Sequence, residues 1–163
     1  MWYLYLSIIT FNTIAILTKK TLQPVVYYAS IFWGLFTAEL VDRWTDKWNL
    51  YGFFEPKVID WQTTLIILGI YPAATVLLIN WYPYERTRKA KIAYVLAWSI
   101  FSTAFEYSFY LAGYEHFHGG WKLWHSAICY PFLYEVLFIQ VWFVRRLIKK
   151  GIVQQDKESR SPL

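Results

Sequence analysis

The chain has 163 residues, 57% of them apolar and 22% aromatic, with ten tryptophans, above the roughly 45–50% apolar content of an ordinary soluble domain. Lipid therefore has to be considered as its surroundings before water. A net charge of +5 raises nucleic acid as a partner. The basic residues instead border apolar blocks, where they fix orientation and touch anionic headgroups, so no nucleic acid is expected. The single cysteine, Cys129, excludes an internal disulfide and a cysteine-based zinc site.

Apolar blocks near the roughly 20 residues that span a bilayer core predict five transmembrane helices, at about 1–18, 24–44, 61–82, 91–112 and 122–148. The first block is short, and Lys19 and Lys20 follow it rather than precede it, the reverse of a secretory signal. It reads as an uncleaved helix and as the least secure span, with four core helices plus a loosely packed first helix as the fallback. The second helix starts at Pro24, where a missing N–H costs nothing. Its Ser30, Gly34 and Ala38 form a small-residue stripe that lets a neighbour approach closely. Gly69 and Ala73 on the third helix repeat the device, as do Ala104, Ser108 and Ala112 on the fourth. The connection from Thr45 to Asp60 is rich in aromatic rings and is expected along the outer headgroup layer, with Asp60 capping the third helix. Residues 154–163 are expected to be a disordered cytoplasmic tail. The whole reads as an all-α integral membrane bundle whose first partner is the lipid bilayer.

Lys and Arg are retained on the cytoplasmic side. Twelve of the sixteen follow the first, third and fifth helices, and four follow the second and fourth. The amino terminus is thus expected outside and the carboxyl terminus in the cytoplasm.

Helices 3 and 5 each carry a Tyr-Pro, Tyr71-Pro72 and Tyr130-Pro131, and each preceding helix carries Ser-Ile-Phe before a glutamate, Ser30-Ile31-Phe32 before Glu39 and Ser99-Ile100-Phe101 before Glu106. Two duplicated hairpins related by an axis along the membrane normal would produce this pattern, as would chance in aromatic-rich helices. Pro72 and Pro131 also free the carbonyls of Leu68 and Ala127, which need partners inside a membrane.

Ionisable residues within a span are costly and often functional. Glu106 and Glu135 qualify. Ser99, Ser102, Thr103, Glu106 and Tyr110 share one helical face, while Glu39, Asp42, Arg43 and Asp46 share the outer end of the second helix. His125 and the His116-x-His118 pair lie in the same outer half. Three readings follow. Glu39, Glu106, Glu135, His125 and Tyr110 form an intramembrane polar site that carries protons, ions or a small solute. His116, His118, His125 and Glu106 hold a divalent metal, as a membrane enzyme would need; no other cofactor is predicted and no catalytic residue is assigned. Otherwise the carboxylates are structural, bonded to tyrosines or Arg43.

Tyr51-Gly52-Phe53-Phe54-Glu55, Ile70-Tyr71-Pro72-Ala73, Trp98-Ser99-Ile100-Phe101-Ser102 and Gly120-Trp121-Lys122-Leu123-Trp124 resemble an uncharacterised family of small multi-pass membrane proteins of spore-forming Gram-positive bacteria. The resemblance covers roughly residues 30–147 and implies location in the bacterial cell (plasma) membrane rather than an activity. The leading functional expectation is a non-enzymatic, multi-pass membrane component acting through helix or membrane-protein contacts. A small carrier comes second and, since five helices are expected to enclose little lumen, it would work as a homo-oligomer. The metal-dependent enzyme is third.

Overall fold

Each apolar block winds into helix, and Pro, Gly and basic residues mark the ends. In the computed structural model, which describes residues 1–53 and 61–159, the elements are α1 (Trp2–Leu17), α2 (Pro24–Lys47), β1 (Tyr51–Phe53), α3 (Trp61–Gly69), α4 (Tyr71–Asn80), α5 (Arg88–Leu111), β2 (Glu115–Phe117) and α6 (Leu123–Ser159). Apart from a two-stranded ribbon, the described chain is helical. Three segments, Pro24–Thr45, Trp61–Asn80 and Leu123–Ile152, are long and apolar enough to cross a membrane. α5 is as long as α2, but its Ser, Thr, Glu and Tyr residues make it less apolar, and α1 is a shorter apolar helix.

The expected third helix is broken at Ile70 into α3 and α4, because Pro72 at the start of α4 cannot donate to the carbonyl four residues back. Pro131 sits inside α6 without ending it. α6 also runs on to Ser159, past the expected end near 148 and into the segment expected to be disordered; residues 160–163 lie outside the described residues. So does Asp60, the expected cap of the third helix. Part of the aromatic connection before it forms β1, paired antiparallel with β2: Tyr51 opposite Phe117, Gly52 opposite His116, Phe53 opposite Glu115.

The first helix is not loosely packed. Leu4 is 0% exposed, and Phe11 and Ala15 are buried in a cluster with Ile66, Ile70 and Phe109. Asn12 Nδ2 donates to Gly69 O at 2.6 Å, so a side chain of α1 supplies a partner at the helix break. The absence of a side chain at Gly69 permits this approach, since a Cβ there would stand 3.0 Å from Ile8. At the opposite end Asn80 ties the α1–α2 turn to α4, accepting from Thr21 N at 3.0 Å, donating to Lys19 O at 3.0 Å and accepting from the Tyr27 hydroxyl. Of the small-residue stripes, the one on α2 packs as expected: Ser30 donates to Gln140 of α6 at 3.0 Å, and a Cβ on Gly34 would meet Thr75 Oγ1 of α4 at 2.9 Å. On α5, Ala104 and Ala112 are exposed and bring no helix close.

The two hairpins, α2 with α3–α4 and α5 with α6, correspond residue for residue. α2 and α5 both have 24 residues. Laid end to end, they place β1 on β2 without a gap, Gly34 on Trp98, Ala38 on Ser102 and Asp42 on Glu106. Aligning the Tyr-Pro pairs places Ile70 on Cys129, Ala74 on Leu133, Thr75 on Tyr134 and Leu78 on Leu137. All of these residues face one central cavity. The ribbon obeys the same rule, equivalent strands pairing antiparallel about Gly52 and His116 as a local two-fold axis requires. In this alignment, which needs a shift of five residues between its two halves, Glu106 corresponds to Asp42 and not to Glu39.

Candidate functional site

α1, α2, α3–α4, α5 and α6 line a cavity of about 260 Å³ that is open on one side. The expectation of little lumen is corrected: Gly34 and Ala38 on one side and Ala74 on the other leave space where larger side chains would fill it. The wall is largely apolar and aromatic, including Phe11, Tyr71, Trp98 and Phe105, and among the described residues no Lys, Arg or His lines it.

Acidic groups gather at the end nearest the ribbon. Glu106 of α5, 9% exposed, accepts a hydrogen bond from Tyr130 of α6 at 2.6 Å, and Ser126 and Glu115 reach the same carboxyl. Ser126 is itself held by Trp121 Nε1 at 3.0 Å. Asp42 of α2 also lines the cavity. Glu115 is 1% exposed, and its Oε2 meets no hydrogen-bond donor among the described residues. Burial, then the adjacent Glu106, then Asp42 push its carboxyl up to about 9, because an ionised group is disfavoured away from water and beside like charge. Three hydrogen-bonding groups surround Glu106, whereas Glu115 Oε2 has no donor among the described residues.

The polar stripe on α5 points where expected for most of its length. Ser102 meets the Tyr134 hydroxyl and Thr103 bonds back to Ser99 O at 2.8 Å. Tyr110 departs from it, lying exposed and stacked on Phe117 at 5.1 Å. Of the other expected site residues, Glu39 is half-buried on α2 but does not line the cavity, and Glu135 is exposed on α6. Glu106 lines the cavity and Glu135 does not. Pro72 and Pro131 follow the two lining tyrosines, Tyr71 and Tyr130, so the interruptions are at the site although the prolines themselves are not in it.

The expected metal ligands do not converge. His125 accepts from the Lys122 backbone N–H at 2.9 Å and stacks on Trp124 at 3.7 Å. This is the reciprocal half of a capping box at the start of α6. His116 and His118 are exposed, their rings 6.4 Å apart. Among the described residues no group of three or more His, Cys, Asp or Glu is placed to hold a metal ion.

Glu115, Tyr71, Tyr130, Ser126 and Asp42 were not expected together. The Tyr-Pro repeat held the signal for the two tyrosines, since a side chain beside a helix interruption often faces a site. Glu115 had a weaker one: in a strand it points opposite to His116, so the two neighbours cannot both be solvated loop residues. No protein-family model, no curated protein and no solved structure matches this chain.

Proposed function

We propose that the protein is an integral membrane protein of five spanning helices in a bacterial cell membrane, amino terminus outside, and that it is a small carrier binding one solute in the cavity between its two hairpins. The observation that carries this reading is the cavity itself, about 260 Å³, lined by residues of every helix and at one end by buried carboxyls. An engineered apolar protein cavity of about 150 Å³ already admits benzene. A purely structural bundle has no reason to keep a larger space with acids on its wall, because both the void and the buried acids cost stability.

Two features support the membrane setting. Large apolar side chains such as Ile9, Phe32, Phe36, Leu68, Ile100, Phe132 and Ile139 are exposed on the outer faces of the bundle, far beyond the patches soluble monomers tolerate. The basic residues lie twelve against four on alternate connections, which sets the orientation. In that orientation the acidic end of the cavity faces outward, and the Asn80 network closes the cytoplasmic end. Tandem hairpins around a shared site are the arrangement on which rocking carriers work.

Cys129, the single cysteine, lines the cavity and serves as a native probe. In oriented proteoliposomes an impermeant methanethiosulfonate reagent is expected to modify it from the outer face, and at a lower rate from the inner face. A Cys129 that reacts only after the protein is unfolded in detergent would mean a closed, dry interior and would end the carrier reading. Reporter fusions after Lys91 and Lys122 are expected to report cytoplasm and exterior respectively.

A further inference from the structure

We propose that the solute is a small organic monocation with an apolar body, its cationic group seated against Glu106 and Glu115 and its body against the aromatic wall of Tyr71, Trp98 and Phe105; this rests on the carrier reading above and gives its ligand a chemical class.

Charge comes first. Among the described residues the cavity wall holds Asp42, Glu106 and Glu115 and no Lys, Arg or His. Glu106 and Glu115 are in side-chain contact, and two carboxyls so placed, out of water, share a proton and keep one negative charge. An acceptor pair of that kind is matched by one positive charge and repels anions. Glu115 adds an independent mark: it lines the cavity at 1% exposure, and its Oε2 has no donor among the described residues, although buried carboxyl oxygens are normally bonded. A donor from a ligand would complete it.

Shape decides between kinds of cation. A divalent ion needs three or more converging oxygen or nitrogen ligands, and among the described residues no such group stands together. Aromatic faces around an acidic group are instead what an organic ammonium recognises, each ring over a cation adding about 0.5–2 kcal/mol. The volume of about 260 Å³ falls just below the roughly 300–1,000 Å³ of sites for drug-sized ligands, which sets the ligand at the size of a small amine.

The probe is tritiated phenethylammonium, whose N–H groups can donate, with its neutral carbon isostere propylbenzene as competitor, on the full chain in lipid nanodiscs against empty nanodiscs. Saturable binding at one site per chain is expected, with no competition from the isostere at equal concentration. The double variant E106Q/E115Q keeps the shape and removes the charge, and is expected to bind at least ten-fold more weakly while melting no lower than the parent. Equal competition by the neutral isostere, which needs no variant, would overturn the cationic assignment while leaving the cavity a solute site. Unchanged binding by a folded double variant would do the same. Absence of saturable binding by either probe, together with a Cys129 unreactive from both faces, would remove the carrier reading itself.

Discussion

Replacing Glu115 by glutamine isolates the proton shared within the cavity. In the unfolded chain this carboxyl titrates near 4.5, and in the folded protein it is pushed up to about 9. Between those values the folded state binds one proton that the unfolded state does not. Stability therefore falls as pH rises, by at most about 1.4 kcal/mol per pH unit. It is fully present below pH 4.5 and lost as pH passes about 9. In a chain of this length that slope corresponds to roughly 3–5 °C of melting midpoint per pH unit. The assay compares parent and Glu115→Gln in nanodiscs at several values between pH 5.5 and 8.5. The histidines and the other acids titrate in both proteins, so their contributions cancel in the difference. The two proteins are expected to melt alike at the acid end and to diverge steadily, the variant being the more stable at the alkaline end. Parallel midpoints across the range would refute a protonated Glu115. A divergence produced by Glu106→Gln and not by Glu115→Gln would put the proton on the other carboxyl.

Three further perturbations test the packing. Gly34→Ala pushes a Cβ to 2.9 Å from Thr75 Oγ1 and is expected to cost about 1–3 kcal/mol in a detergent melt, with the double variant Gly34→Ala/Thr75→Ala recovering most of it. Asn12→Ala removes the bond to Gly69 O and should lower stability by about 1–2 kcal/mol; limited proteolysis should then cut the α1–α2 turn faster than in the parent. His125→Ala removes the acceptor for the Lys122 N–H and is expected to cost about 0.5–2 kcal/mol, the range for a lost helix cap. Zinc should leave the midpoint of both proteins unchanged; a zinc-dependent rise that the variant loses would restore His125 as a ligand.

The helices were legible because a span-length apolar block bounded by Pro, Gly and Lys has few other solutions. The break at Ile70 followed from Pro72, and Glu106 followed from the polar stripe on its face. What stayed hidden depends on which face of each helix turns inward. In water, an apolar stripe answers that question. Where both faces are apolar it does not, so Glu135, exposed, and Glu106, buried, look alike on paper. Only packing evidence such as Gly34 against Thr75 separates them. Glu115 was hidden for a different reason. Its burial follows from pairing Phe53 with Glu115, and three-residue strands far apart in the chain carry no local pattern that distinguishes them from loop.

The duplicated hairpins also explain why α1 is there. Two hairpins about one axis present two equivalent seams, α2 against α6 and α5 against α4. The first seam is closed by direct packing, with Ser30 bonded to Gln140. At the second, Tyr94, which corresponds to Ser30, donates to Leu78 O at 2.8 Å near the Asn80 end, but nearer the acidic end the helices are held apart by α1. There Phe11 lies 5.2 Å from Phe105, and Tyr3 lies 5.4 Å from Phe109, while Asn12 and Ile8 fasten the same helix to Gly69. α1 thus acts as a wedge that fills one seam and breaks the symmetry of the pair. Any rocking of one hairpin against the other has to pivot about the close α2–α6 seam and carry α1 with α3–α4, to which its polar anchors bind it. The contacts of α1 with α5 are aromatic except for the hydrogen bond between the Tyr3 and Ser108 hydroxyls, which such a motion would have to break. Without the wedge the two seams would close alike, and the cavity that Gly34, Ala38 and Ala74 leave open would have no reason to persist.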